Sequence, residues 1–209
     1  MIIPIGRWVL EQACQQAAVW HAAGHTIGVA VNVSSRQLEH DEFVAEVRDA
    51  LADNGLPPEA LTLEITETVL MRDPTAAAIR LRALKALGVR IAIDDFGTGY
   101  SSLAYLRQFP VDALKIDRSF ITGISSSNEA GALMHTLIEL GKALGLETLG
   151  EGIEEPAQLE QLKHEGCDSG QGFLFAKPLD VDTVTRFLDR RPHQSMRPSS
   201  TRPRAKHGT

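Results

Sequence analysis

Polar side chains recur at one kind of position along this 209-residue chain, the carboxyl end of a short apolar stretch. In order they are Asn32, Glu64, the adjacent Asp94 and Asp95, Lys115 with Asp117, Glu151 and Gln171. A carboxylate buried alone at the end of an apolar strand is strongly disfavoured, so acids in such places are paired, hydrogen-bonded or metal-bound. Five carboxylates and two amides meeting at one mouth with a single lysine would leave the acids repelling one another unless cations neutralised them, which implies divalent metal. Oxygen donors without histidine favour hard ions, Mg²⁺ or Mn²⁺, over Zn²⁺ or Cu²⁺. The seven histidines, His21, His135 and His164 among them, show no HxH or HExxH spacing and read as surface or packing residues.

Asp94 and Asp95 are neighbours, and on a regular strand neighbouring side chains point to opposite faces. Both can serve one cluster only where the strand ends or bends. Phe96-Gly97-Thr98-Gly99 follows at once and is expected to supply that bend. Glycines on either side of Thr98 also suit a loop that moves or lets a ligand approach its backbone.

These residues need a frame that brings strand ends together. Short β-branched stretches alternate with segments of helical period, the pattern of βα units on a parallel sheet. Six strands are expected at Ile27–Ser34, Leu61–Thr66, Arg90–Gly97, Ala113–Asp117, Glu147–Ile153 and Gly170–Phe175. Helical stripes run through Phe43, Val44, Val47 and Leu51, through Ile79, Ala83, Leu84 and Leu87, and through Leu133, Leu137, Leu140 and Leu144, each expected to pack on the sheet. Asn54-Gly55, Gly88 and Gly145 mark helix ends. Ile5–Ala23 reads as a further helix with apolar positions Trp8, Val9, Ala13, Val19 and Trp20. Functional residues at the carboxyl ends of parallel strands are the signature of a (β/α)8 barrel mouth, here with six strands rather than eight.

Charge narrows the function class. The net charge is −6, yet Arg190–Thr209 carries six Lys or Arg and no acid, which leaves Met1–Asp189 at −12. An acidic body argues against sequence-independent nucleic-acid binding, which rests on basic side chains neutralising phosphates. Residues 1–189 read as one domain, and 190–209, rich in Pro, Ser and Arg, as a disordered basic tail. Cys14 and Cys167 stand apart with no CxxC pair, as suits a reducing, cytoplasmic setting. No apolar run is long enough to span a membrane.

The motifs VNVS (Val31–Ser34), EITET (Glu64–Thr68), IDDFGTGYSSL (Ile93–Leu103), LKID (Leu114–Asp117), GEGIE (Gly150–Glu154) and GCDSGQGF (Gly166–Phe173) resemble, in order, those of the EAL-domain cyclic di-GMP phosphodiesterases. The resemblance covers about Ile3–Leu188. It implies an incomplete TIM-like barrel and a hydrolase that opens cyclic di-GMP to linear pGpG with two Mg²⁺ or Mn²⁺ ions. It further implies Asn32, Glu64, Asp94, Asp95 and Glu151 as metal ligands, Lys115 beside the catalytic water and Asp117 as its near neighbour. Glu67 corresponds to the acid that holds the DFGTG loop, comprising Phe96, Gly97, Thr98 and Gly99, and Gln171 to a glutamine lining the site. Cyclic di-GMP is the expected partner, with room for a homodimer and for a sensory or cyclase domain upstream.

The chain departs from the family at its start, because the Glu-x-Leu strand motif that supplies a further metal ligand belongs upstream of the helix holding Trp8. A fragment, or a start inside a longer gene, is the expectation, with exposed sheet edges and severely reduced activity. Two function classes stay open: the phosphodiesterase, and a catalytically inactive domain that binds cyclic di-GMP or a protein. An enolase-like barrel is disfavoured by the contiguous DDFGTG motif.

Overall fold

The protein, seen here as a computed structural model, is described for residues 1–98, 103–122 and 128–190. Gly99 and the basic tail beyond Arg190 lie outside the described residues. Helix α1 (Ile2–Ala22) precedes strand β1 (Val29–Asn32), and α2 (Ser35–Leu38) and α3 (Phe43–Asn54) lead to β2 (Leu61–Thr66). Next come α4 (Glu67–Leu70), α5 (Pro74–Ala86), β3 (Arg90–Phe96), α6 (Leu103–Leu106) and β4 (Ala113–Ile116). The chain continues through α7 (Arg118–Thr122), α8 (Asn128–Leu144), β5 (Glu147–Gly150), α9 (Pro156–Glu165) and β6 (Ser169–Gly170). Contacts divide the chain into Met1–Lys177 and Pro178–Thr209. The described part of the second unit is α10 (Val181–Asp189), capped by Asp180, whose carboxylate accepts from the Thr183 N–H at 2.7 Å. No helix among the described residues is long and apolar enough to cross a membrane.

The six strands pair in chain order, all parallel, and form an incomplete (β/α) barrel. Leu61, Leu63 and Ile65 of β2, Ile91 and Ile93 of β3, and Leu114 and Ile116 of β4 alternate along their strands and are almost wholly buried. They form one face of the sheet and join Val47, Leu51, Leu81, Leu84 and Ile138 from the helices in a single core. Burying each such side chain contributes about 1.5–3 kcal/mol, so this helix-covered face fixes which way every strand points.

Three helical stripes differ from expectation. Helix α5 buries Ala77, Ala78, Leu81 and Leu84, while Ile79 is 61% exposed and Ala83 is also exposed. The face that packs on the core is made of these two alanines and two leucines, and Ile79 lies outside it. Helix α8 turns Leu133 outward and buries Met134, Leu137 and Ile138. Helix α1 buries Gly6, Leu10, Cys14, Ala17 and Trp20, leaving Trp8, Val9 and Val19 exposed, and it spans Ile2–Ala22 rather than Ile5–Ala23. Strands β1, β3, β4 and β5 are shorter than their apolar stretches suggest. The sixth differs most, because only Ser169 and Gly170 pair. Phe173–Phe175 instead makes a turn in which the Phe175 N–H bonds the Gly172 carbonyl at 3.1 Å.

One residue ties the amino ends of β3, β4 and β5. The Asp112 carboxylate accepts from the Ile91 N–H at 2.8 Å and from Lys85 Nζ at 2.8 Å. Its backbone N–H donates to the Ile91 carbonyl, and its own carbonyl accepts from the Glu147 N–H. Asp112→Ala strands the Ile91 N–H and leaves Lys85 only its bond to the Val89 carbonyl, so urea unfolding should show a loss of about 2 kcal/mol. Asp41→Ala removes an ion pair to Arg80 whose carboxylate is 97% exposed, and its loss should stay below about 0.5 kcal/mol.

Candidate active site at the carboxyl end of the sheet

Strand register decides which side chains share a face. Asn32 pairs with Glu64 across β1 and β2, and Glu64 with Ala92 of β3. Ala92 pairs with Ala113 of β4, Lys115 with Leu149 of β5, and Leu149 with Ser169 of β6. Side chains two residues apart on a strand point the same way. Asn32, Glu64, Asp94, Lys115, Glu151 and Gln171 therefore lie on the face opposite the helix-covered core, near the carboxyl ends of six neighbouring strands.

Lys115 is the centre of this group. Its Nζ lies 2.7 Å from Glu64 Oε2, 2.8 Å from Asp94 Oδ1 and 2.6 Å from Glu151 Oε1, and its side chain is 5% exposed. Burial alone would lower the lysine pKa. The hydrogen bonds to Asp94, Glu151 and Glu64 overcome that and hold it well above the ordinary lysine value, so the ammonium stays charged. One positive charge cannot neutralise three carboxylates. Glu151 shows the excess: burial raises its pKa, Lys115 offsets part of the rise, and the charges of Asp94 and Glu64 add to it.

Asp94 and Asp95 are accommodated by a bulge. Ile93 pairs with Leu114 and Phe96 with Ile116, so three steps on β3 match two on β4. Asp95 takes φ 54°, the sole non-glycine residue with positive φ among those described. The bend is thus at Asp95 itself, one residue before the expected Phe96-Gly97-Thr98-Gly99 segment. Thr98 secures it, its hydroxyl donating to the Asp95 carbonyl at 2.8 Å. Asp94, Asp95 and Glu151 each offer an oxygen within 4.8 Å of the other two. Burial raises the Asp95 pKa, Asp94 and Asp117 raise it further, and Lys115 partly offsets them.

The other expected residues fall into distinct places. Glu67 is 2% exposed, and its Oε2 accepts from the Gly97 N–H at 3.0 Å. Its Oε1 has no partner among the described residues. Gly97 has φ 94°, and a Cβ there would lie 3.0 Å from the Phe120 ring and 3.2 Å from Leu137. Phe96 is a correction: it ends β3 with its side chain in the core, 3% exposed, rather than on the loop. Asp117 lies just past β4 and accepts from the Ser119 N–H at 3.0 Å. Burial opposes its charge, but the bonds from Ser119 and the Arg118 backbone and charge keep its pKa below the ordinary value. Asn32 and Thr98 are exposed, and among the described residues no side-chain hydrogen bond joins Asn32 to the lysine cluster.

Gln171 does join it, its Nε2 donating to Glu151 Oε1 at 2.7 Å. The polypeptide brings it there by close approach, because a Cβ on Gly172 would overlap the Ile153 backbone. Sequence reasoning missed Thr148 and Asp168, which fasten β6 to β5. The Asp168 carboxylate accepts from the Thr148 N–H at 2.8 Å and from its hydroxyl at 2.9 Å. The signal was available in the Asp of GCDSGQGF, three residues before Gln171.

A model of the EAL domain matches residues 1–178. The chain belongs to the EAL domain family. It is 40% identical over 194 residues to the signaling protein YkoW of Bacillus subtilis, covering 93% of this chain and 24% of YkoW. It is 44% identical over 185 residues to the bifunctional diguanylate cyclase/cyclic di-GMP phosphodiesterase MucR of Pseudomonas aeruginosa, covering 88% and 27%. This EAL chain thus spans about a quarter of the curated relatives it matches. The solved MucR phosphodiesterase in complex with c-di-GMP superposes with TM-score 0.85 over 88% of this chain and 74% of that one, at 44% identity. The EAL domain of Mycobacterium smegmatis DcpA gives TM-score 0.84 at 40% identity, covering 88% and 83%.

Lys115→Met in this EAL chain leaves three buried carboxylates facing one another. In EDTA at pH 7 it should lose about 3 kcal/mol of unfolding free energy. Glu151 already binds its proton more tightly folded than unfolded, so falling pH favours the fold through that group. The deficit of Lys115→Met, measured by urea titration, should therefore shrink from pH 7 to pH 5.

Proposed function

We propose that this chain carries the metal-dependent hydrolysis of cyclic di-GMP to linear pGpG. The observation that supports this reading most is the all-oxygen rim around Lys115, where carboxylate charge exceeds the one ammonium. MucR, described as a cyclic di-GMP phosphodiesterase, matches across this region.

The residues fit two hard divalent cations. Every donor is an oxygen, and three carboxylates surround the one ammonium of Lys115. Asp94, Asp95 and Glu151, with Glu64 and Asn32 beside them, would hold Mg²⁺ or Mn²⁺. Such ions supply Lewis-acid polarisation of a phosphoryl oxygen and a water of lowered pKa, so no histidine base is needed.

The chain's own residues do the positioning. Lys115 holds three carboxylates in a fixed arrangement and presents a permanent positive charge to an incoming phosphate. Gln171 orients Glu151 through the 2.7 Å bond to its Oε1. Glu67 anchors the backbone at Gly97, the first residue after β3, and so fixes where the loop departs. Asp117 stays ionised at the edge of the group and adds to the field on Asp95. A cytoplasmic signalling setting, a homodimer and a cyclase or sensory domain elsewhere in the polypeptide accompany this reading.

The test is chromatographic assay of the purified chain, and of a version carrying any in-frame upstream residues, with cyclic di-GMP and Mn²⁺ or Mg²⁺. Formation of pGpG that EDTA stops is expected in at least the longer version. Asp94→Ala and Glu151→Ala should each reduce the rate more than about 100-fold with secondary structure unchanged. Tight binding of cyclic di-GMP without turnover in both versions would replace the enzyme by a binding module, and turnover retained in either variant would remove that residue from the machinery.

A further inference from the structure

Among the described residues, three buried side-chain atoms lack any hydrogen-bond partner: Glu67 Oε1, His40 Nδ1 and Glu46 Oε2. The first belongs to the site above. The other two converge elsewhere, at the junction of α2 and α3. His40 lies in the turn after α2, Glu42 is the N-cap of α3 and Glu46 stands one helical turn further on. One ligand atom from each lies within 4.8 Å of the other two. Orphaned buried donors and acceptors are rare in folded proteins because each forfeits its hydration without return. Two in one place, from an imidazole and a carboxylate, point to a missing shared partner.

The surroundings provide no cation to fill that role. Glu42 and Glu46 are four residues apart on one face of α3, where like charges repel. Arg80 is engaged by the His40 carbonyl at 3.1 Å and by the exposed Asp41 carboxylate. Arg7 feels the charge of Glu46 but directs its hydrogen bond to Glu11 at 2.9 Å. Neither Glu42 nor Glu46 forms an ion pair among the described residues.

We propose that His40, Glu42 and Glu46 form a second metal site, distinct in kind from the barrel mouth, that takes Zn²⁺. One imidazole nitrogen with two carboxylates is a borderline donor set that suits zinc, whereas the all-oxygen mouth suits harder ions. Tetrahedral zinc ligands sit about 3.3 Å from one another, within reach of side chains already gathered here because Glu42 is exposed and free to turn inward. Three protein ligands would leave one position for water. All three ligands come from a seven-residue stretch, so the ion would clamp the α2–α3 turn to the first turn of α3, next to the end of β1. Sequence reading set the histidines aside because they show no HxH or HExxH spacing. Only the fold of the turn brings the three together.

Calorimetric titration with ZnCl₂ tests this on the intact chain. A Zn²⁺ equivalent should bind to wild type, persist in Glu151→Gln, and weaken by more than about tenfold in His40→Gln and in Glu46→Gln. Glu42→Gln alters only an exposed side chain and should weaken the same equivalent, which keeps the test decisive if a buried variant fails to fold. Co²⁺ in place of Zn²⁺ should give visible d–d absorption that His40→Gln abolishes. The proposal is overturned if no Zn²⁺ binds in the micromolar range, or if wild type and the His40, Glu42 and Glu46 variants bind it alike.

Discussion

One buried ammonium shared by three carboxylates sets the terms for the rest of the structure. Lys115 draws Glu64, Asp94 and Glu151 from three strands to within 2.8 Å of a single nitrogen. Such a cluster is stable only if every strand holds its place, since a misplaced carboxylate loses its counter-charge while remaining desolvated. The same cluster keeps the rim assembled without a metal. Its three carboxylates outnumber the one ammonium, which is consistent with the cation site proposed above.

The sheet meets this demand by dividing labour between its faces. Leu63, Ile65, Ile91, Ile93 and Leu114 bury one face under the helices, and any slip of one residue would drive them out and the polar set in. Hydrophobic burial thus selects the register that charge needs. Side-chain clamps trim it locally. Asp112 joins the amino ends of β3 and β4 through its carboxylate and reaches β5 through its backbone carbonyl, and Thr148 with Asp168 secures the two-residue β6, which would otherwise be a weak edge.

Much of this was legible in the sequence because it depends on period and position. The alternation of strand-like and helical stretches placed five of the strands and Gly170 of the sixth, and polar residues at their carboxyl ends named every member of the lysine cluster. What escaped depends on the neighbours in space. The outward turn of Ile79 and Leu133 depends on which face each helix presents to the sheet, and apolar spacing that fits more than one face does not encode that choice. Phe173–Phe175 looks like a strand by residue type, yet the approach of Gly172 to Ile153 turns the chain away. The long-range Thr148–Asp168 clamp and the His40 cluster needed the folded turns to bring their members within reach.

The bulge at Asp94 and Asp95 has a consequence beyond admitting two acids. Ile93 and Phe96 are an odd number of residues apart, yet both face the core, so the extra residue inverts the alternation of the strand. The aspartate doublet is therefore a phase shifter as well as a pair of oxygen donors. Deleting either acid would restore regular alternation, keeping the Phe96 ring on the core face while removing the bend at Asp95 and one of the two oxygen donors. In aligning or grafting this strand, Ile93 to Gly97 should be handled as one indivisible block.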